Sequence, residues 1–170
     1  SEAARAGARV VRHSSRRGVG AAFHSALAQA RDTRADLLVT MDSDGQFDPE
    51  SIPLIVEPVI AGRADFVTAS RFKDPALVPE MTAIRKWGNR AMSRLIWRMG
   101  DRKCYDVFCG MRCDGREAIM RLTVMGKFTY TQEVLLDLAF KRLGIEEVPV
   151  RVRGVREFGR SRVAGDLWKY

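Results

Sequence analysis

Short aliphatic and β-branched runs alternate along this chain with longer stretches in which apolar residues recur at helical spacing, a pattern that predicts an α/β domain. The apolar runs place strands at residues 8–12, 35–41, 64–69 and 145–152 with helices between them, an order that implies a mostly parallel sheet. A first helix is expected to start near Gly18 and run through Ala21-Ala22-Phe23 and Ala26-Leu27-Ala28 to about Arg31, with alanine supplying the propensity. Asp48 reads as an N-cap with Pro49 at the first helical position, so residues 51–60 form the next helix, made irregular by Pro53 and Pro58. Residues 71–81 hold Pro75 and Pro79 with little periodicity and mark a loop before a helix over 83–99. Residues 101–113 follow no clear pattern. The stretch 130–142 has an apolar face of Val134, Leu135, Leu138 and Phe140. After Val150 glycine and arginine dominate, until helical character returns at 163–170.

At 170 residues and 46% hydrophobic content, the chain buries one core and is too short for two independent domains, so residues 1–170 read as one unit. The formal charge of +8 comes mostly from arginine, concentrated in 5–17 and 151–162. That balance favours anionic partners, and nucleic acid, acidic lipid headgroups and phosphorylated small molecules all qualify. Cys104, Cys109 and Cys113 form no CxxC pair and lie far from His13 and His24, which argues against structural zinc and for free thiols. No apolar run approaches the length that spans a bilayer.

The densest chemistry lies in Asp42-Ser43-Asp44-Gly45-Gln46, between the apolar run Leu37-Leu38-Val39-Thr40-Met41 and Asp48-Pro49-Glu50. A buried strand delivers such a turn to a sheet edge, where open α/β sheets bind ligands. Two carboxylates one residue apart repel unless a cation lies between them, and hard ions such as Mg2+ or Mn2+ take oxygen ligands shared with substrate phosphates. The competing reading is a solvated loop whose aspartates accept from backbone donors. An EF-hand loop is excluded because its sixth position holds Phe47 in place of glycine, and Gln46 does not suit a phosphatase of the haloacid dehalogenase type. Gly18-Val19-Gly20 lacks the third glycine of a dinucleotide fingerprint, which is Phe23 here. Arg71 follows a strand, and Arg85 and Asn89 lie four apart on a predicted helix, hence on one face; guanidinium forks there suit a phosphate. Glu133, near the start of an apolar helix, serves either the helix dipole or catalysis.

Taken in order, Val39 through Glu50, Ala69-Ser70-Arg71-Phe72, Asp106-Val107-Phe108-Cys109-Gly110-Met111-Arg112, Glu146-Glu147-Val148-Pro149-Val150 and the basic stretch 156–161 resemble the GT-A glycosyltransferases of family 2. The branch they most resemble is that of the polyprenyl-phosphate (dolichol-phosphate) sugar synthases. The resemblance implies a GT-A, Rossmann-like, mostly parallel sheet flanked by helices. It gives Asp42, Asp44 and Gln46 the divalent ion, Mg2+ or Mn2+, that bridges the diphosphate of a nucleotide sugar, UDP- or GDP-linked. It gives Arg71, Arg85 and Asn89 the acceptor lipid phosphate, with Arg156 and Arg160 in a loop that contacts phosphate groups after donor binding. Asp106 and Arg112 match a motif of the family to which no role is attached. Relatives begin with strands that hold the base and ribose, and neither of their motifs occurs here, so those N-terminal strands are expected to be missing from this chain.

The implied reaction is an inverting, metal-dependent transfer of a hexose to a polyprenyl phosphate at the cytoplasmic face of the cell membrane, with peripheral contact to the anionic surface and no nucleic acid. The acceptor is already an anion, so no general base is required and Asp44 carries the catalytic weight through the metal. A saccharide hydroxyl acceptor would need a base, and Glu133 is then the candidate. An arginine-rich nucleic-acid-binding module is the reading from another class.

Overall fold

The structure is a computed structural model that describes residues 2–100, 103–123 and 130–153. Four strands, β1 (Leu37–Thr40), β2 (Phe66–Ser70), β3 (Arg112–Gly115) and β4 (Ile145–Pro149), form one sheet in the order β1-β3-β2-β4. β3 runs antiparallel to both β1 and β2, and β4 runs parallel to β2. β1, β2 and β4 therefore share one direction, as the sequence order implies, and the described sheet is mixed because β3 is inserted against them. Helices α1 (Glu2–Arg5), α2 (Val19–Asp32), α3 (Ile52–Ile60), α4 (Ala83–Gly100), α5 (Arg116–Arg121) and α6 (Tyr130–Phe140), with 3-10 turns at Pro49–Ser51 and Pro75–Leu77, complete the described elements.

Strand alternation divides the core in two. Leu38 and Phe66 face a cluster with Phe23 and Leu27 of α2, Ile96 of α4, Ile119 of α5, and Val134, Leu135 and Leu138 of α6. Val67, Ala69 and Cys113 face the other side, where Ile55 of α3 and Phe47 close the second cluster. Each large apolar side chain buried this way contributes about 1.5–3 kcal/mol. Gly18 precedes α2 with φ 87°, a conformation that favours glycine, and Asp48 accepts from Glu50 N at 3.0 Å to start a short 3-10 turn at Pro49–Ser51 before α3.

Three expectations change. Residues 8–12 form no strand: they are exposed, Val11 by 53%, and no described strand pairs with them, which a strand requires. Phe140 is 64% exposed, and the buried stripe of α6 is completed instead by Tyr130 and Ala139. Residues 112–121, in part unpatterned and otherwise unassigned, hold β3 and α5. The expected helix at 163–170 lies outside the described residues, as do Arg156 and Arg160.

Candidate active site at the sheet edge

The register brings the ends of β1, β2 and β4 and the start of β3 to one edge. Thr40 and Thr68 both pair with Arg112, and Ser70 pairs with Pro149. Asp42 leaves β1 there, Arg71 leaves β2, Gly110 leads into β3, and residues 150–153 follow β4. The predicted convergence of acidic turn and arginine is thus a consequence of strand direction.

Within the turn, Gly45 has φ 77°, which favours glycine, and Asp44 Oδ1 accepts from Gln46 N at 3.1 Å. Gln46 is tied to the segment after β4 in both directions: its Nε2 donates to Arg153 O at 3.1 Å, and Arg153 N donates to Gln46 O at 3.0 Å. Any ligand role of Gln46 therefore falls to Oε1. The Asp42 carboxylate lies against the backbone of Gly110, where any Cβ would collide with it. Gln46 and Asp48 also line an open cleft of about 420 Å³ with Ala76, Leu77, Val78 and Pro79 of the 71–81 loop and with Arg151 and Arg153. That loop borders the acidic turn.

Arg71 is held by Asp106. Asp106 Oδ2 accepts from Arg71 N at 3.1 Å and Nε at 2.7 Å, and Oδ1 accepts from Nη2 at 2.9 Å. Burial works against the guanidinium charge, but the pairing with Asp106 outweighs it and raises the Arg71 pKa. Asn89 is 3% exposed; its Nδ2 donates to Tyr105 O at 2.5 Å and its Oδ1 accepts from Val107 N at 3.3 Å. Its amide holds the loop beside Arg71, so the structure places it behind that arginine. Arg85 lies in the first turn of α4, one turn before Asn89.

Glu133 is half-buried in the first turn of α6. Tyr130, one turn earlier, is buried, which raises its pKa; Arg112, 5.6 Å from its ring, lowers it and Asp42 raises it further. Asp42, Arg112 and the start of α6 thus share one electrostatic neighbourhood. Arg112 is fully buried, donates from Nε to Cys109 O at 2.9 Å, and has no hydrogen-bond partner for Nη1 or Nη2 among the described residues. Asp114, two residues on, is also fully buried and has no hydrogen-bond partner among the described residues, and desolvation pushes its carboxyl up to about 7. Burial likewise pushes the Cys109 thiol up to about 12, which leaves it unreactive at neutral pH.

Glu147 carried no role in the sequence reading. It is buried in β4, where its two oxygens accept from Tyr105 N at 2.8 Å and Asp106 N at 2.9 Å. The available signal was a pair of adjacent carboxylates in a strand, Glu146 and Glu147, of which alternation buries one, and a buried carboxylate needs a partner.

The residues at the edge fit a hard cation incompletely by themselves. Among the described residues no three His, Cys, Asp or Glu side chains converge. Asp42 and Asp44 supply two carboxylates and Gln46 one carbonyl oxygen, a set that suits an ion completed by substrate oxygens.

Helices on both faces of a sheet whose shared edge carries an acidic turn are the architecture of a GT-A-type glycosyltransferase domain. Crystal structures of glucosyl-3-phosphoglycerate synthase from Mycobacterium tuberculosis share it. The complex with phosphoglyceric acid has a TM-score of 0.66 at 23% identity over 98% of this chain and 59% of that one. Another, with Mn2+, UDP-glucose and phosphoglyceric acid, has a TM-score of 0.66 at 24% identity. Likeness at that identity establishes the fold.

Residues 2–122 match the sequence profile of glycosyl transferase family 2, and the chain belongs to that family. A UDP-N-acetylglucosamine–dolichyl-phosphate N-acetylglucosaminyltransferase from Methanococcus voltae is 29% identical over 144 residues, 83% of this chain and 57% of that protein. An undecaprenyl-phosphate mannosyltransferase from Micrococcus luteus is 25% identical over 164 residues, covering 93% and 65%. A polyprenol monophosphomannose synthase from Mycolicibacterium smegmatis is 27% identical over 169 residues, covering 92% and 60%. The chain therefore spans less than two thirds of the length of these relatives.

Proposed function

We propose that this chain is the catalytic part of a glycosyltransferase that moves a hexose from a nucleotide sugar to a polyprenyl phosphate, with inversion at the anomeric carbon. The observation that carries this reading is the placement of Asp42 and Arg71 on one sheet edge, an acidic turn beside a fixed guanidinium. The names of the relatives supply the chemistry of donor and acceptor. Asp42 and Asp44 would hold a divalent ion with Gln46 Oε1 assisting. When bound, that ion neutralises the departing nucleoside diphosphate. The Mn2+ in the related synthase structure favours manganese over magnesium as the first ion to try.

On the acceptor side, Arg71 and Arg85 hold the lipid phosphate in line with the donor, and positioning supplies much of the rate. The phosphate is an anion at neutral pH and attacks without a base. Arg160 adds charge for the diphosphate and Arg156 for the acceptor phosphate in this reading, both outside the described residues. The work takes place at the cytoplasmic membrane face, and the outward side of α4 supports peripheral contact there: Ile84, Trp87 and Leu95 are exposed beside exposed Arg94 and Arg98, and α4 contains no acidic residue.

Titration of the full-length protein with UDP and GDP, with and without Mn2+, tests the donor half. Binding is expected only with metal, and Asp44→Ala is expected to abolish it. Equal binding of the nucleotides with and without Mn2+ would remove the metal role.

A further inference from the structure

We propose that Asp106 is a positioning residue for the transfer reaction: it fixes the Arg71 guanidinium so that one edge faces the acceptor phosphate. The inference rests on the reading of Arg71 as a phosphate ligand and goes beyond it by assigning a function to the buried carboxylates behind that arginine.

Asp106 is fully buried and grips Arg71 at three points, backbone N, Nε and Nη2. Those contacts fix both the chain direction at the end of β2 and the plane of the guanidinium. They use the Nε–Nη2 edge, and among the described residues no acceptor takes the Nη1–Nη2 edge, which is the geometry for a second bidentate oxyanion. Asp106 is itself immobilised. Glu147 of β4 accepts from the backbone of Tyr105 and Asp106, Asn89 of α4 bridges Tyr105 O and Val107 N, and Phe108 N donates to Asp106 Oδ1 at 3.3 Å. Two elements, β4 and α4, thus clamp a segment that has no regular structure of its own.

A desolvated ion pair is a poor device for stability alone, since apolar residues of similar volume serve as well or better. Here the carboxylate is fully buried while the arginine side chain keeps 21% exposure at the sheet edge. An arginine anchored by a buried carboxylate and still partly exposed presents its charge in one orientation. The Phe72 ring, with its centroid 5.5 Å from the Arg71 guanidinium carbon, restrains it further.

The test is steady-state kinetics of the full-length protein with polyprenyl phosphate and nucleotide sugar as varied substrates. Asp106→Asn is expected to raise KM for the polyprenyl phosphate by about tenfold, the scale of a lost charge-assisted contact, with KM for the donor unchanged. Because Asp106 acts through Arg71, the double variant Asp106→Asn/Arg71→Ala is expected to be no worse than Arg71→Ala alone. If Arg71→Ala raises the acceptor KM and Asp106→Asn does not, or if the double variant is additive, the positioning role is wrong. An unchanged acceptor KM in Arg71→Ala overturns the reading of Arg71 itself. Should Asp106→Asn fail to fold, Arg71→Lys decides: it keeps the charge and loses the fork, so a raised acceptor KM supports the proposal and a wild-type value overturns it.

Discussion

Gly110 and Asp114 show how single residues govern this site. Gly110 leaves room for the Asp42 carboxylate, so Gly110→Ala is expected to push that carboxylate aside without straining the main chain. Metal-dependent nucleotide affinity should fall by roughly 10–100-fold, the usual cost of disturbing a ligand's support, as measured by calorimetry. Asp114 governs stability. Its carboxyl is raised from 3.8 to about 7 by burial, so between those values the folded chain keeps a proton that the unfolded chain has released. Stability therefore falls as pH rises from about 4 to about 7 and is level above. Asp114→Asn should flatten that slope in denaturant titrations and add roughly 2–4 kcal/mol at pH 8. Neither role was legible in the sequence, because both depend on what the neighbouring strand or turn places opposite the residue. The Asp42-Ser43-Asp44 turn was legible, since a strand followed by a turn and a capped helix is a local pattern. Asn89 was legible only as a helix face: that its amide turns inward to Tyr105 and Val107 needed the loop's path.

Elements with a periodic or β-branched pattern appear where the sequence places them, and β3, which has neither, does not. α2, α3, α4 and α6 appear where helical spacing put them, and β1, β2 and β4 lie within the apolar runs. β3 is four residues, Arg-Cys-Asp-Gly, and buried charge in a strand mimics a loop to any pattern based on apolar alternation. Residues 8–12 mislead in the opposite way, since two valines between arginines look like a strand but find no partner among the described strands. α4 carries a prediction at this scale. Its inward face buries Asn89, Ser93 and Ile96, and its outward face exposes Ile84 by 80% and Trp87 by 71%. If that stripe lies in a membrane interface, Trp87→Glu should weaken binding to vesicles containing acidic lipid by about tenfold or more, because it removes a large apolar contact and adds a repelled charge. Cosedimentation at two salt concentrations checks it, since the arginine contribution should fade with salt and the tryptophan contribution should not.

Across the described residues, strand direction brings the acidic turn and an anchored arginine together, Tyr130 at the start of α6 interacts with Asp42, and this arrangement separates two kinds of acceptor. A phosphate acceptor has its second ionisation near pH 6, as phosphomonoesters do, so it reaches the anomeric carbon already charged. A hydroxyl acceptor must lose a proton in the transition state, and a positioned carboxylate contributes about 10²–10⁴-fold to such a step. Glu133, half-buried one turn beyond Tyr130, is the carboxylate in question. With polyprenyl phosphate as acceptor, Glu133→Gln is therefore expected to change kcat by less than about threefold, and the rate should be level above about pH 7. The unphosphorylated polyprenol should be inert in the wild type, because it offers nothing to Arg71 and no anion to attack. A loss of about 100-fold or more in Glu133→Gln, or equal turnover of the alcohol and its phosphate, would instead identify a hydroxyl acceptor with Glu133 as its base. Initial rates for the two acceptors, in wild type and Glu133→Gln, distinguish these cases in one experiment.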